Sequence, residues 1–214
     1  MKKIVTTILI AIVFTGSVFA QQYFGTDEYH DEEINTVFKK EKRDGFYWGY
    51  STGYSAINND NGLVFSTRGG WIMDHWFSFG ISGTGFVNNF DNLDMYTYDS
   101  PGSTDIYSLV GGYGGFYLEP ILFPLKPVHL SFPVVFGVGA AAKINNYYYN
   151  DFVDNGDLFY LVEPGVELEV NFTKWMRIAL FGTYRFTSEI QIENIATDAL
   201  QNYTVGAIVK VGLF

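Results

Sequence analysis

A two-residue alternation of apolar and polar side chains, sustained over long runs, is the feature that most constrains this chain. In the run 158–172 the apolar side chains largely occupy one parity and the polar side chains the other. A β-strand places residues i and i+2 on one face and so separates the two sets, whereas a helix would mix them. The apolar set includes Val162, Pro164, Val166, Leu168, Val170 and Phe172, and the polar set includes Glu163, Gly165, Glu167, Glu169 and Asn171. The pattern predicts a strand with two chemically different faces.

Runs of the same kind recur from residue 45 to the C-terminus. They predict eight strands, at 45–57, 63–73, 76–87, 106–122, 128–142, 158–172, 175–187 and 202–214. Each has about ten or more residues, the length of a tilted strand that crosses a membrane, whereas strands of soluble proteins average about five or six. The chain is therefore predicted to be all-β, an eight-stranded antiparallel up-and-down transmembrane β-barrel over residues 45–214.

The connections between the predicted strands alternate between short and long. The short ones are 74–75, 123–127 and 173–174, and the long ones are 88–105, 143–157 and 188–201, with 58–62 as a shorter member of the second set. Outer-membrane barrels have short periplasmic turns and long extracellular loops. An even number of strands then places both ends of the barrel domain on the periplasmic side.

Two eight-stranded architectures produce this alternation, and they differ in which face is polar. A membrane barrel turns its apolar face to lipid, whereas a secreted lipocalin-like ligand-binding barrel turns it inward. The polar face holds few charges, in matched numbers and separated by glycine and serine, which suits an interior where unpaired charge is costly. Its charged and histidine residues are Arg68, Glu119, His129, Glu163, Glu167, Glu169, Arg177, Arg185 and Lys210. We predict a membrane barrel with a luminal ion-pair network of Arg68, Glu163, Glu167, Glu169, Arg177 and Arg185, with the lipocalin-like barrel as the alternative.

Aromatic residues crowd the predicted strand ends, as in the interfacial girdle of a membrane barrel. They are Phe46, Trp48, Trp71, Phe77, Phe123, Phe172 and Trp175. The interior of an eight-stranded barrel is just wide enough for side chains to fill it. We therefore expect the paired charges to plug the lumen. A path for protons or ions along these charges is the less favoured interpretation.

Residues 1–44 differ in composition from the rest of the chain. Lys2 and Lys3 precede a largely apolar run, and Val18-Phe19-Ala20 offers small residues where a signal peptidase cleaves, so residues 1–20 are predicted to be a cleaved secretory signal peptide. In residues 21–44 acidic side chains come first and basic ones last, which suits the dipole of a short helix. This segment is predicted to be a periplasmic arm, either a short helix or a solvated stretch.

Charge and cysteine content exclude several classes of function. The chain has 23 acidic and 13 basic residues, so it is a poor match for nucleic acid. It has no cysteine, which excludes disulfides and thiolate chemistry. The long connections are acidic and contain the aromatic run Tyr147-Tyr148-Tyr149, but they lack the spacing of an EF-hand loop. We predict no metal and no cofactor, and interpret these loops as a solvated acidic rim.

His129 and Ser131 form the strongest candidate for catalysis. A spacing of two puts both side chains on one strand face, and Glu119 lies on the preceding strand, across the predicted turn. Serine, histidine and a carboxylate are the parts of a hydrolase triad, and His-x-Ser is similar to the dyad of outer-membrane lipid A deacylases. The site is predicted to lie beside a periplasmic turn, far from the outer leaflet, so an outer-membrane lipid hydrolase is kept as an alternative function only.

The segments 68–85, 111–140 and 163–186, together with the C-terminal Phe214, resemble small outer-membrane β-barrel proteins of the Bacteroidota type. The resemblance implies an outer-membrane location, contact with outer-membrane lipid, and recognition of Phe214 by the barrel-insertion machinery. The favoured function is a non-enzymatic outer-membrane barrel with an envelope-structural or surface-interaction role. Its acidic, aromatic extracellular loops would meet an envelope protein or an extracellular ligand.

Overall fold

A computed structural model describes residues 44–88, 107–145 and 155–214. The predicted signal peptide (1–20) and, apart from Asp44, the predicted arm (21–44) lie outside these residues and stay predictions. Within the described residues no helix is long and apolar enough to cross a membrane.

The described residues form ten strand segments that make up eight barrel strands. The segments are β1 (Gly45–Ile57), β2 (Asp60–Met73), β3 (Phe77–Asn88), β4 (Tyr107–Leu122), β5 (Val128–Ser131), β6 (Val134–Asn145), β7 (Asn155–Asn171), β8 (Met176–Tyr184), β9 (Phe186–Thr187) and β10 (Tyr203–Leu213). The segments β5 and β6 are one barrel strand, because both pair with β4 in a single register, Ser131 opposite Ile121 and Val134 opposite Leu118. The break falls at Pro133, which has no N–H to donate to the ladder.

The sheet closes on itself. Neighbours along the chain pair antiparallel, and the last strand, β10, pairs with β1 from Phe46 opposite Leu213 to Ser55 opposite Thr204. Closure pairs the strands around the ring, and 155–160 of β7, which pair with β6 alone, are an exception at the loop end. A chain in lipid requires such pairing because lipid offers no hydrogen bonds to the backbone. The predicted eight-stranded antiparallel up-and-down barrel is confirmed.

Tight turns join the strands at one end, which we call the turn end; it also holds the first residues of β1 and the last of β10. The opposite end is the loop end, and its segments 89–106 and 146–154 lie outside the described residues. There the prediction of a loop at 58–62 is wrong, because β2 already begins at Asp60. The turn has two residues, Asn58 and Asn59, with φ of 54° and 63°. Asparagine tolerates positive φ, and such a turn matches the twist of the flanking strands.

The barrel has its apolar side outward. Large apolar side chains such as Leu158 (76% exposed) and Phe116 (72%) stand on the outer face. Every charged side chain in the described strands has inward parity, and those of the strand interiors are buried. A lipocalin-like barrel has the reverse arrangement, so that alternative is excluded, and the outer face is the one that meets lipid.

Exposed aromatic side chains border the apolar outer face at both ends. At the turn end they are Phe46, Trp48, Trp71, Trp76, Phe123, Phe172 and Trp175, and at the loop end Tyr54, Tyr160 and Tyr203. Phe77, predicted in this girdle, is only half-buried and packs on Trp76. The twelve-residue step from Tyr160 on β7 to Phe172, directly after the strand, spans roughly 40 Å along the strand and about 28 Å along the membrane normal at 45° tilt. That span is close to the apolar height of outer-membrane barrels, about 25 Å.

Candidate functional site

The inward side chains near the turn end converge on Lys210 of β10. Its Nζ lies 2.5 Å from Glu119 Oε1 on β4, 2.8 Å from Glu167 Oε2 and 2.5 Å from Glu169 Oε1 on β7. Two further cations complete the group: Arg68 pairs with Glu167, and Arg177 Nη1 lies 3.6 Å from Glu169 Oε2. We call these six residues the charged cluster. Its three carboxylates and three cations balance, which offsets the cost of removing each charge from water.

Lys210 occupies the position that a metal ion would need. Glu119, Glu167 and Glu169 each place a carboxylate oxygen within 4.8 Å of the others, a spacing that suits a metal ion. The Lys210 ammonium group contacts an oxygen of all three. A divalent ion would have to displace a buried lysine, so the cluster's positive charge comes from the protein itself.

The predicted triad residues are close together but are not arranged as a triad. His129 Nε2 lies 2.8 Å from Glu169 Oε2, and Ser131 Oγ lies 2.8 Å from Glu119 Oε1 and from Glu169 Oε1. No hydrogen bond joins the described His129 ring to Ser131, and Glu119 bonds the serine instead of orienting the histidine. A catalytic triad needs the base on the nucleophile and the carboxylate on the base. All three side chains are also buried.

The predicted luminal network divides into two parts. Arg68, Glu167, Glu169 and Arg177 belong to the charged cluster. Glu163 instead accepts hydrogen bonds from Tyr113 Oη (2.5 Å) and Thr183 Oγ1 (2.7 Å). Arg185 has no carboxylate within 4.0 Å among the described residues, so its predicted ion pair is not formed there.

Tyr113 accounts for this division. Glu163 and Arg185 lie opposite each other in the register that β7 shares with β8 and β9. The Tyr113 hydroxyl binds Glu163, while its ring lies 5.2 Å from the Arg185 guanidinium carbon. The two charges therefore use different parts of one tyrosine rather than each other.

Two central members of this site were not predicted as such. Lys210 has the same inward parity as Gly212, and this parity was the sequence feature that placed its side chain in the lumen. Tyr47 shares its parity with Gly49 and donates a 2.6 Å hydrogen bond from Oη to Glu119 Oε2. Alternation assigns a face to each residue but does not indicate which residue stands at the centre.

A cavity of about 60 Å³ lies in the middle of the barrel. It is bordered by hydroxyl groups and by members of the charged cluster; its polar lining includes Ser51, Ser66, Thr67, Arg68, Ser82, Thr84, Tyr113, Glu163, Glu167, Thr183 and Thr204. A water needs about 10–15 Å³ by this measure, so there is room for about four.

The loop end is closed by residues 188–202, which we call the lid. Four of its side chains are buried: Ile190, Ile192, Ala199 and Leu200. They pack among inward-facing residues of the barrel wall, Ile57, Val64, Phe86, Leu109, Tyr113, Ala141, Phe159 and Leu161, which we call the apolar cup. The acidic side chains assigned to the solvated rim in this segment, Glu189, Glu193 and Asp198, are exposed, whereas these four apolar side chains are buried. The spacing Ile190-x-Ile192 was the sequence feature that could have indicated an inward apolar face in this segment.

Phe214 narrows the lumen at the turn end. Its ring stacks on Tyr47 at 5.9 Å between centroids, and the Arg177 guanidinium carbon lies 3.9 Å from the ring centroid. The residue predicted to be read by the insertion machinery thus faces the lumen in the folded barrel. Within the described residues the lid, the charged cluster and Phe214 fill the lumen in turn.

Comparison with solved structures finds similar barrels. The chain is similar to Neisserial surface protein A (NspA), with a TM-score of 0.52 and 10% identity over 80% of this chain and 99% of that one. It is also matched to Ail, the attachment invasion locus protein of Yersinia pestis, in complex with the heparin analogue sucrose octasulfate, with a TM-score of 0.47 and 11% identity over 81% of this chain and 99% of that one. At such identity the likeness to NspA shows the fold alone. No protein-family model matches the chain, and no curated protein matches its sequence.

Proposed function

We propose that this chain is a non-enzymatic outer-membrane β-barrel protein that acts through the parts of it outside the lipid, in envelope structure or surface interaction. The observation that carries the proposal is the closed barrel with its apolar face outward and its lumen filled. The outer face suits contact with outer-membrane lipid. Among the described residues the charged cluster is buried and its members pair with one another, which suits a plug rather than a pore. The surfaces beyond the membrane are the place for this role.

The loop-end segments favour a binding role. Residues 89–106 and 146–154 carry Asp91, Asp94, Asp99, Asp105, Asp151 and Asp154, together with the run Tyr147-Tyr148-Tyr149. Aromatic side chains provide rigid contact area, and acidic ones favour a partner of opposite charge. We infer that the partner is an envelope protein or an extracellular ligand with a basic surface.

The route to the membrane is part of the same proposal. Residues 1–20 would direct export and be removed, and Phe214 would be recognised by the barrel-insertion machinery before it turns into the lumen. The Bacteroidota-type resemblance supports this route. N-terminal sequencing of the membrane-extracted protein tests the leader: a sequence starting at Gln21 is expected, and one starting at Met1 would contradict it.

A loop-exchange experiment tests the surface role. The two loop-end segments are replaced, separately and together, by two-residue Asn-Gly turns, and crosslinking is carried out in native membranes. We expect every variant to keep heat-modifiable gel mobility and the double variant to lose its crosslinked partner. The matched control, Leu125→Ala in a turn at the opposite end, keeps both. Unchanged crosslinking in the double variant would contradict the proposal.

A further inference from the structure

We propose that the apolar cup is a binding site for a long-chain carboxylate, that Arg185 receives the carboxylate group, and that the lid is a displaceable occupant of the site. This goes beyond the surface role, since it concerns the interior of the barrel. The ligand class follows from three features, taken in turn: an incompletely paired buried cation, its apolar surroundings, and the size of the lid's own insert.

Arg185 differs from the cations of the charged cluster. Its side chain is fully buried, and Nη2 donates to Thr204 Oγ1 at 3.2 Å. Its Nε and Nη1 have no hydrogen-bond partner among the described residues. Arg68 and Arg177 also have an unbonded Nε, but Arg68, Arg177 and Lys210 each have a carboxylate within 3.6 Å, and Arg185 has none within 4.0 Å among the described residues. A buried charge with incomplete pairing is costly, so an anion that completes the pairing would bind there favourably.

The surroundings of Arg185 define the rest of the ligand. Its guanidinium carbon lies 5.5 Å from the centre of the Phe86 ring and 5.2 Å from that of Tyr113, and both rings belong to the apolar cup. The cross-strand carboxylate, Glu163, is bound to Tyr113 and Thr183. A carboxylate fits the planar fork of arginine with two parallel hydrogen bonds. Polar groups such as Thr204 lie beside the guanidinium group itself, whereas the cup that Phe86 and Tyr113 belong to is apolar. The part of the ligand that enters the cup is therefore apolar as well.

The lid indicates the length of that apolar part. Ile190, Ile192, Ala199 and Leu200 insert about 13 side-chain carbon atoms into the cup. An alkyl chain of about 12 carbons buries a comparable apolar surface, so exchanging the lid for such a chain costs little in hydrophobic burial. The lid has no regular secondary structure and is attached to the wall by separate hydrogen bonds. They include Asn58 N to Ala199 O (3.0 Å), Ser188 N to Tyr160 O (2.9 Å), Gln191 N to Asp157 Oδ2 (2.7 Å) and Lys143 Nζ to Glu193 O (3.4 Å). Lid and ligand would therefore compete.

The test compares two ligands of equal chain length. The full-length mature chain in nanodiscs is titrated with radiolabelled dodecanoate or dodecanol, and empty nanodiscs measure partition into lipid. We expect saturable dodecanoate binding, with dodecanol at least tenfold weaker. Arg185→Met should remove this preference. Arg177→Met, the same change within the charged cluster, should keep it.

A lid variant tests competition independently. In Ile190→Ala/Leu200→Ala the insert is smaller, so dodecanoate should bind at least tenfold more tightly than to the unaltered chain. Heat-modifiable gel mobility verifies that each variant is folded. If Arg185→Met does not fold, Arg185→Gln is used in its place. Two results overturn the proposal: an acid preference that survives loss of Arg185, or a lid variant that binds dodecanoate no more tightly. Neither result would contradict the proposed surface role, because that role depends on the folded barrel and its loops and not on ligand binding in the lumen. Heat-modifiable gel mobility measures the folding of the barrel independently of ligand binding.

Discussion

Replacing Lys210 by methionine tests the view that the charged cluster is held together by charge balance. Methionine keeps most of the side chain's length and apolar contacts but removes the ammonium group that contacts Glu119, Glu167 and Glu169 within 2.8 Å. The charged cluster would then contain three carboxylates but only two cations, so one buried carboxylate would lack a cation. Removing one partner from a buried ion pair costs about 3–5 kcal/mol, and the whole stability of a domain is about 5–15 kcal/mol. We expect Lys210→Met to lose about 3–5 kcal/mol.

The measurement is urea unfolding in phospholipid vesicles, followed by tryptophan fluorescence and by heat-modifiable gel mobility. Lys126→Met, in an exposed turn, is the matched control and should change stability by less than about 0.5 kcal/mol. Glu119 has Lys210 as its one ion-pair partner among the described residues, so adding Glu119→Gln to Lys210→Met leaves the Arg68–Glu167 and Arg177–Glu169 pairs in place. The double variant has two carboxylates against two cations and should recover more than about half of the loss. A Lys210→Met protein within about 1 kcal/mol of the parent, or a double variant less stable than the single, would refute the reasoning.

Three further predictions concern the turn, the outer face and the triad. Asn59→Val should cost about 1–2 kcal/mol in urea unfolding, because φ is 63° there, and Asn59→Gly should cost little. Val166→Arg, on the outer face halfway along β7, should destabilise the barrel in vesicles by about 2–4 kcal/mol, whereas Leu125→Arg in an exposed turn should be neutral; equal effects would contradict the assignment of the lipid face. In a lipid deacylation assay, the parent protein and Ser131→Ala should both show only background turnover. Turnover by the parent protein that is lost in Ser131→Ala would support the hydrolase alternative.

The architecture of this protein was determined by its sequence. Side-chain direction alternates with every residue of a strand, so the face of each residue is a local property of the chain. The prediction of 158–172 therefore corresponds closely to β7, Asn155–Asn171, and charged residues such as Glu167 lie inward as expected. The errors arose at the loop end. There, two positive-φ asparagines shortened the first connection, and the burial of two isoleucines of the segment 188–201 was not predicted, although its acidic side chains are exposed as expected.

The tertiary structure decided which inward residues meet. Parity fixes the face but not the height of a residue in the barrel or its contacts across the lumen; these depend on strand tilt and stagger, which are properties of the closed sheet. Glu163 and Arg185 lie opposite each other and are both members of the predicted ion-pair network, yet each contacts a different part of Tyr113 instead of the other. His129 and Ser131 share a face, yet both bond Glu169. Lys210, close to the C-terminus, became the centre of the charged cluster because closure of β10 onto β1 brings it to carboxylates on β4 and β7.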